Sequence, residues 1–323
     1  MATFQTNNSF LGLGIEATRG TASSAIKWIP ITSPQVTPMQ AFLRDEALRG
    51  SAVAVYDHVA GVRHDEYDVK GFLYPDTFPV LVRGILGGTD TVTGSAPYTH
   101  TIPLLNNVSG SQPPSLTIQD FDGANTFQML GAQMSDLNLT FGAEAAVEWS
   151  SKFVGNPYTN IAVPSATFST QPFVPGWNVS VSIGGTSIAY VIDGEINISR
   201  NTAPIHTMGT QAPRVNFAGP IDVSGRMTLV VDSTSDLFTI GSSAYGLYDN
   251  SQIVVVTLTD PVNSYSSTFT MSKVQFTDPK RTRGKAFVEV EVSFSAAANS
   301  TDSGGTGYSP IKIVTTNGIS AAF

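Results

Sequence analysis

The chain contains no cysteine, so neither a disulfide nor a thiolate–metal centre holds it together, and stability must come from packing and from association between copies. Charged residues are scarce, at 13%, which leaves little material for long salt-bridged helices. No window approaches the ~20 apolar residues of a membrane helix, and the opening MATFQTNNSFLGLGIEATRG lacks a basic region leading into an apolar run. The expectation is a soluble product without a cleaved export signal and with no membrane partner. Without such a signal, the triplets Asn138 with Thr140 and Asn178 with Ser180 are compositional and not glycosylation sites. Bases are in the minority, 17 against 25 acids, so the surface is ill suited to gripping nucleic acid by its phosphates. It suits a surface that DNA passes without sticking.

What is plentiful is glycine and proline, 29 and 19 residues, the punctuation of many short strands. An apolar content of 41% excludes disorder, and 323 residues suffice for two domains with real cores.

One stretch occurs twice. Residues 127–136 read FQMLGAQMSD and residues 269–278 read FTMSKVQFTD, so Phe127, Met129, Gln133 and Asp136 recur as Phe269, Met271, Gln275 and Asp278, a constant 142 residues on. Upstream, Asp68, Val69 and Gly71 recur 154 residues on as Asp222, Val223 and Gly225, and Ile29, Ile31 and Thr32 resemble Ile196, Ile198 and Ser199. Three short matches in one order predict a duplicated unit.

Along the chain, residues 1–25 read as a Gly-, Thr- and Asn-rich N-terminal arm. Residues 27–33 read as a strand ended by Pro34 and Pro38, and residues 39–50 as one or two helical turns. Residues 53–73 read as a strand pair, with His64, Glu66, Asp68 and Lys70 on one face and Tyr67, Val69, Gly71 and Leu73 on the other. The clearest helix follows: Phe78, Leu81, Val82, Ile85 and Leu86 form an i, i+3, i+4, i+7, i+8 stripe, capped by Asp76 or Thr77 and stopped by Gly87 and Gly88. Residues 97–114 read as a loop. Residues 116–121 form a strand turning at Asp122–Gly123, and residues 127–141 and 145–154 complete a meander.

Residues 156–178 read as a stiff Pro-rich linker. The second unit repeats the order: strands at 179–183 and 188–200, a long loop at 201–218, an alternating strand at 222–231, a helix from Asp236 capped by Ser235, and strands at 253–259, 267–276 and 285–296. Residues 298–323 form a C-terminal arm with a last strand at 310–315. The domain division is thus 1–25 arm, 26–155 first unit, 156–178 linker, 179–297 second unit, 298–323 arm.

No catalytic, cofactor-binding or metal constellation is expected. His58, His64, His100 and His206 lack zinc-site spacing, and no G-x-S-x-G elbow or Walker loop occurs. Gly12, Gly14 and Ala17 match G-x-G-x-x-A without the βαβ context. Asp120, Asp122 and Asn125 read as a hairpin turn, because the acid that would close a calcium loop falls near Gly131. Asp65, Glu66 and Asp68 read as a solvated acidic face.

The segments GLGIEATRGTA, EYDVKGFLYPDTFPVLVRGILGG and VIDGEINISRN resemble the major tail tube proteins of long-tailed, non-contractile, siphovirus-type bacteriophages. The resemblance runs from Gly12 to about Ala297 and is one of texture and element order. It implies a mainly β chain of two similar antiparallel β-sandwich, barrel-forming tube domains, each with a short flanking α-helix. It further implies a structural virion protein, not an enzyme, that self-assembles into stacked rings and forms a conduit for ejection of genome DNA into the host. DNA would be a transient partner without sequence specificity, other tail proteins would sit at the tube ends, and assembly would take place in the host cytoplasm. Two tube domains per chain imply a pseudo-six-fold homotrimeric ring, with a homohexamer as the alternative.

On this reading His64, Glu66, Asp68, Lys70, Asp222, Ser224, Arg226 and Thr228 are the lumen-lining candidates, with Asp68 and Asp222 in the same place in the two units. Alternation alone fits an outer solvent face equally. Phe42, Leu43 and Leu48, costly to expose together, and the basic Arg281 and Arg283 are the inter-ring contact candidates; the local alternatives are a cap on the domain's own core and a solvated hairpin tip. About four strands per unit make only about eight per chain, and a barrel of that size is filled by side chains, whereas an aqueous channel takes about 16 or more. Several chains must therefore close together, which also removes exposed sheet edges. The competing reading is a non-polymerising, two-domain β-sandwich receptor-binding or decoration protein of a virion.

Overall fold

The computed structural model describes residues 5–106, 110, 112–231, 251–283 and 287–323. It is mainly β, with antiparallel ladders, one α-helix among the described residues and no closed barrel, a sandwich-type fold. The first run of elements is β1 (Phe10–Ile15), β2 (Lys27–Ile29), β3 (Ser33–Asp45), β4 (Asp57–Phe72), α1 (Phe78–Leu86), β5 (Thr91–Thr93), β6 (Tyr98–Ile102), β7 (Leu116–Phe121), β8 (Thr126–Met134), β9 (Asp136–Gly142), β10 (Glu148–Gly155) and β11 (Thr159–Ile161). The second is β12 (Val179–Ile183), β13 (Thr186–Ile188), β14 (Val191–Ser199), β15 (Ala203–Ile205), β16 (Val215–Phe217), β17 (Asp222–Val230), β18 (Gln252–Thr259), β19 (Ser266–Thr282), β20 (Glu289–Ala296) and β21 (Lys312–Asn317).

Laid out by pairing, the second run repeats the first. In one layer the order β2–β1–β7–β8–β11 answers β13–β12–β18–β19–β21. In the other, β3–β4–β10–β9 answers β14–β17–β20–β19. The two halves of this second layer join directly, because β9 pairs with β14 from Asp136↔Ser199 to Gly142↔Asp193. Eight strands therefore run side by side as one wall. In the first layer, β21 also pairs with β6, so a strand from late in the chain ties back onto the first half.

The duplicated stretches are the strands that serve both layers. β8 and β9 form one path that bends at Ser135, and β19 does the same within a single strand. Both carry the same two irregularities. Ala132 faces Leu116 while Met129 faces Ile118, and 142 residues on Val274 faces Gln252 while Met271 faces Val254, one extra residue each time. The second shift falls between Met134 and Asn138 against β10, and between Thr277 and Lys280 against β20. Bulges of this kind bend a strand and raise its twist, which is what carrying one strand from layer to layer requires. Asp136 and Asp278 sit at the second bulge. Asp278 takes a left-handed φ of 51°, which Asp tolerates better than most residues.

Each first bulge hands a backbone N–H to a buried carboxylate. Gly131, at φ 62°, donates to Glu16 Oε1 at 2.9 Å, and Glu16 also accepts from Gly20 N, Ser115 Oγ and Thr117 Oγ1. In the second half, Ser272 N donates to Asp302 Oδ2 at 2.6 Å. Both acids are nearly solvent-free, so each carboxylate is held by donors where an unpartnered charge would be costly. The duplicated residues are not all used alike: Met129 and Met271 are both core, but Gln133 is buried and donates to Pro113 O at 2.9 Å, whereas Gln275 is exposed.

Helix α1 forms as its stripe predicts, with Gly87 at φ 83° as C-cap; Thr77 occupies the N-cap position without a side-chain capping bond. Its apolar face reaches into the second half of the chain, where the Phe78 ring lies 5.9 Å from that of Phe269. Arg200, at the end of β14, donates from Nε to Ile85 O at 2.6 Å and from Nη2 to Leu86 O at 3.3 Å. Burial lowers its pKa to about 10, which leaves it a cation at neutral pH. That cation meets the negative end of the helix dipole, and the two halves are latched together. One apolar cluster extends across the junction.

Several local expectations are corrected. Residues 39–45 are strand, not helix, because the long ladder to β4 outweighs a modest helical propensity. Pro34 and Pro38 lie inside β3 instead of ending a strand. Arg63, opposite Gln40, sends its N–H away from β3 to Gln211 O, so even-numbered β3 residues turn their amide positions to the unpaired edge, where proline is tolerated. Residues 57–72 are one strand and not a pair. β6 replaces part of the expected loop at 97–114, and β15 with β16 forms a small ribbon inside the expected loop at 201–218. β1, with Leu11 and Leu13 fully buried, lies in the stretch read as an N-terminal arm, while β21 is the last strand expected at 310–315. The helix expected from Asp236 falls outside the described residues.

The registers also realign two of the sequence matches. Following β10 into β20 and then outward, His64, Glu66, Asp68 and Lys70 correspond to Asp222, Ser224, Arg226 and Thr228, and so Asp68 corresponds to Arg226 and not to Asp222. Ile29 lies in β2 and Ile196 in β14, so that pair of motifs is not equivalent.

Behind the wall, Asp120 is buried next to Tyr67. Burial, helped by the nearby Asp122 charge and only partly offset by the Tyr67 hydroxyl, pushes its carboxyl up to about 6. A raised acid pKa means that the folded state is favoured below the ordinary carboxylate range and loses that advantage as pH rises past the folded value. Asp120→Asn should therefore stabilise the fold at pH 8 by roughly 1–3 kcal/mol and be neutral near pH 4; thermal melts across that range decide it, and an equal effect at both pH values would refute the assignment.

Candidate functional site

The exposed face of the eight-strand wall collects the polar members of every alternation. Cross-strand partners share a face, so pairing alone places Asp68 beside Lys152, Asn138 beside Asn197, Glu195 beside Arg226 and Thr228 beside Glu291. Of the eight lumen-lining candidates, Glu66, Asp68, Lys70, Asp222, Ser224, Arg226 and Thr228 lie on this face, with His64 one residue past the last β10 partner of β4, and the odd-numbered neighbours Tyr67, Val69, Val223, Met227 and Leu229 are buried behind it.

Its charges are locally paired. Lys152 Nζ lies 2.7 Å from Glu66 Oε2 and Arg226 Nε lies 2.9 Å from Glu195 Oε2, with Glu291 Oε1 at 3.8 Å from Nη1. Asn138 Nδ2 donates to Glu195 Oε1 at 2.7 Å across the β9–β14 junction. Desolvation lowers the pKa of His64, whose ring stands 5.7 Å from His206, so it contributes little positive charge at neutral pH. Glu66, Asp68, Asp136, Glu148, Asp193, Glu195, Asp222 and Glu291 outnumber Lys70, Lys152, Arg226 and Lys280, and the face is acidic and studded with small hydroxyls and amides.

Among the described residues, each end of the wall is a strand laddered on one side. β3 pairs only with β4, and the end of β19 beyond the second bulge pairs only with β20. These ends are the counterparts of β14 and β9, which pair with each other inside the chain. Arg281 lies in this end of β19 and Arg283 just beyond it, both exposed.

A third feature stands off the wall. β3 and β4 continue past the last β10 partner, Asp65↔Gly155, as a two-stranded arm; the eight β4 residues from 57 to 64 reach about 25 Å. Phe42 (59% exposed), Leu43 (62%) and Leu48 (101%) lie along it with Val53 and Val59. As strand residues, Phe42 and Leu43 point to opposite faces, so the arm exposes apolar side chains on both sides, beside the ion pairs Arg44–Glu46 and Arg49–Asp45. The topologically equivalent connection in the second half, between β14 and β17, is instead folded down: Asn216 Nδ2 donates to Gly131 O, and Arg19 Nη2 donates to Asn216 O, both at 2.8 Å.

Sequence reasoning missed Lys152, Glu195 and Glu291 on the wall and Val36 at its β3 end. The first three sit in short runs whose alternation is plain, but which face they share with His64 or Arg226 is decided by pairing between distant strands.

A sequence model of the family described as phage tail tube protein matches residues 6–299. None of the curated proteins matches the chain.

Because the Arg226 side chain is half exposed, its ion pairs should be worth under about 1 kcal/mol in the isolated protein. Arg226→Gln should lower the melting point slightly at low salt and less at 0.5 M salt, where the remaining glutamates are screened; a loss of several kcal/mol would mean that the wall itself depends on this cation.

Proposed function

The chain belongs to the phage tail tube protein family, structural components of the virion tail, and from that footing we propose that three copies close into a pseudo-six-fold ring by pairing the end of β19 of one copy with β3 of the next, and that the rings stack into a tube whose acidic lumen conducts genome DNA. The observation that carries the reading is the β9–β14 ladder. It joins the first half of the chain to the second with the pairing that would join the second half of one copy to the first half of the next. Transferred residue by residue, Leu139↔Ile196 becomes Arg281↔Val36, and Leu137↔Ile198 becomes Pro279↔Pro38. The two prolines then face each other, so neither leaves a backbone N–H without a partner. On the isolated protomer the same residues guard edges that would otherwise template unspecific pairing.

Eight wall strands per chain make about 24 in a ring of three, beyond the size at which barrels hold an aqueous channel. A net-acidic inner face repels phosphates and avoids binding them, so DNA slides. The two halves, β1–β11 and β12–β21, are the two tube domains, and the arm of β3 and β4 makes the contact between rings. Its folded-down counterpart in the second half gives such a ring three projecting arms in place of six. Other tail proteins cap the tube, and assembly takes place in the host cytoplasm. No reaction is part of this function.

Val36→Pro places a third proline on the outward-facing parity of β3, where Pro34 and Pro38 already sit. It should leave a folded protomer by circular dichroism and abolish rings in negative stain, whereas Thr37→Pro, on the inward parity, should damage the fold. Rings persisting in Val36→Pro would sink the junction. Charging the arm with Leu43→Asp should yield rings that do not lengthen into tubes, read by tube length in the same images.

A further inference from the structure

Strand direction gives the wall two unlike rims. The arm leaves from the rim marked by Asp65, Gly155, Asp136 and Ser199. At the opposite rim, the ends marked by Phe72, Gly142, Val191 and Glu289 carry aromatic side chains that the fold leaves open to solvent. Phe173 follows Phe72 in space, with rings 5.1 Å apart. Trp177, 66% exposed, follows the turn at Gly142, where Gly176 N donates to Ala145 O at 2.7 Å. Tyr190 precedes β14 and Phe287 precedes β20, both partly open. Large aromatics gathered on one rim are the residues that dominate protein contacts, because they bury much area at little conformational cost.

We propose that this aromatic rim, centred on Trp177, is the receptor for the β3–β4 arm of a chain in the next ring. The proposal rests on the stacking reading above and names the partner surface of the arm. Three features select a second copy as the occupant. The arm carries apolar side chains on both faces, and Phe42, Leu43 and Leu48 stay exposed on the protomer. The rim carries exposed aromatic side chains and stands at the other end of the same strands, so translation along the strand direction brings one onto the other without reversal. Unlike patches on opposite ends of a subunit make a heterologous contact, the kind that propagates without closing, whereas an arm-to-arm contact would end after two rings.

The chain offers an internal probe. Of its three tryptophans, Trp28 is 9% and Trp149 2% exposed, so Trp177 supplies the solvent-quenchable emission. Acrylamide quenching of wild-type tubes, compared with the Leu43→Asp rings, should show that component protected at least twofold in the tubes. Trp177→Asp should also stop at rings, and Trp177→Phe should restore tubes. If Trp177→Asp tubes normally while Leu43→Asp does not, the arm docks elsewhere and this inference falls while stacking by the arm stands. If both variants tube normally, the arm reading fails and takes the rim with it. Unchanged quenching between rings and tubes would also overturn the proposal.

Discussion

Everything in this molecule depends on one strand doing two jobs. A sandwich needs two layers, and the path of β8 and β9, like β19, belongs to both: its first part pairs with β7 or β18 in one layer, its last part with β10 or β20 in the other. A regular strand cannot make that transition, because its twist is set by its pleat. The extra residues at the two bulges supply the bend, and their unpaired backbone groups must then be met elsewhere. Glu16 does this for the first half from the beginning of the chain, and Asp302 for the second half from near its end. That is why segments with the composition of loose arms are buried and ordered by polar contacts: they complete the bend.

The same strand explains what could be read from the sequence. The decads were legible because the bulge and the core behind it constrain residue type: methionine at Met129 and Met271 fills the core, and aspartate at Asp136 and Asp278 suits the second bulge. The helix was legible because a 3.6-residue stripe flanked by Thr77 and Gly87 is a local signal. Register was not. Moving a strand by four residues leaves every side chain on its original face, so the match of Asp68 with Asp222 satisfied the alternation and was still displaced from the true pairing with Arg226. Residues 39–45 show the other failure, since an exposed apolar ribbon held by a distant strand looks locally like a short amphipathic helix. The wall face was thus visible as a pattern, and its membership only through nonlocal ladders.

The two halves differ at the ends of the wall. The junction within the chain is made once, during folding, and is fastened by Asn138 to Glu195 across the strands and by Arg200 on the end of α1. At the proposed junction between chains the corresponding positions hold Lys280, Gln35 and Gln40, and the opposed prolines remove two amide donors. Fewer directed bonds make that junction weaker than its internal counterpart. A ring closed by three such contacts gains from closure itself, since the last contact forms within one assembly and the entropy of bringing copies together has already been met. Weak edges on the protomer and a stable closed ring are therefore compatible, and the prolines at Pro34, Pro38 and Pro279 place the balance between them in the backbone.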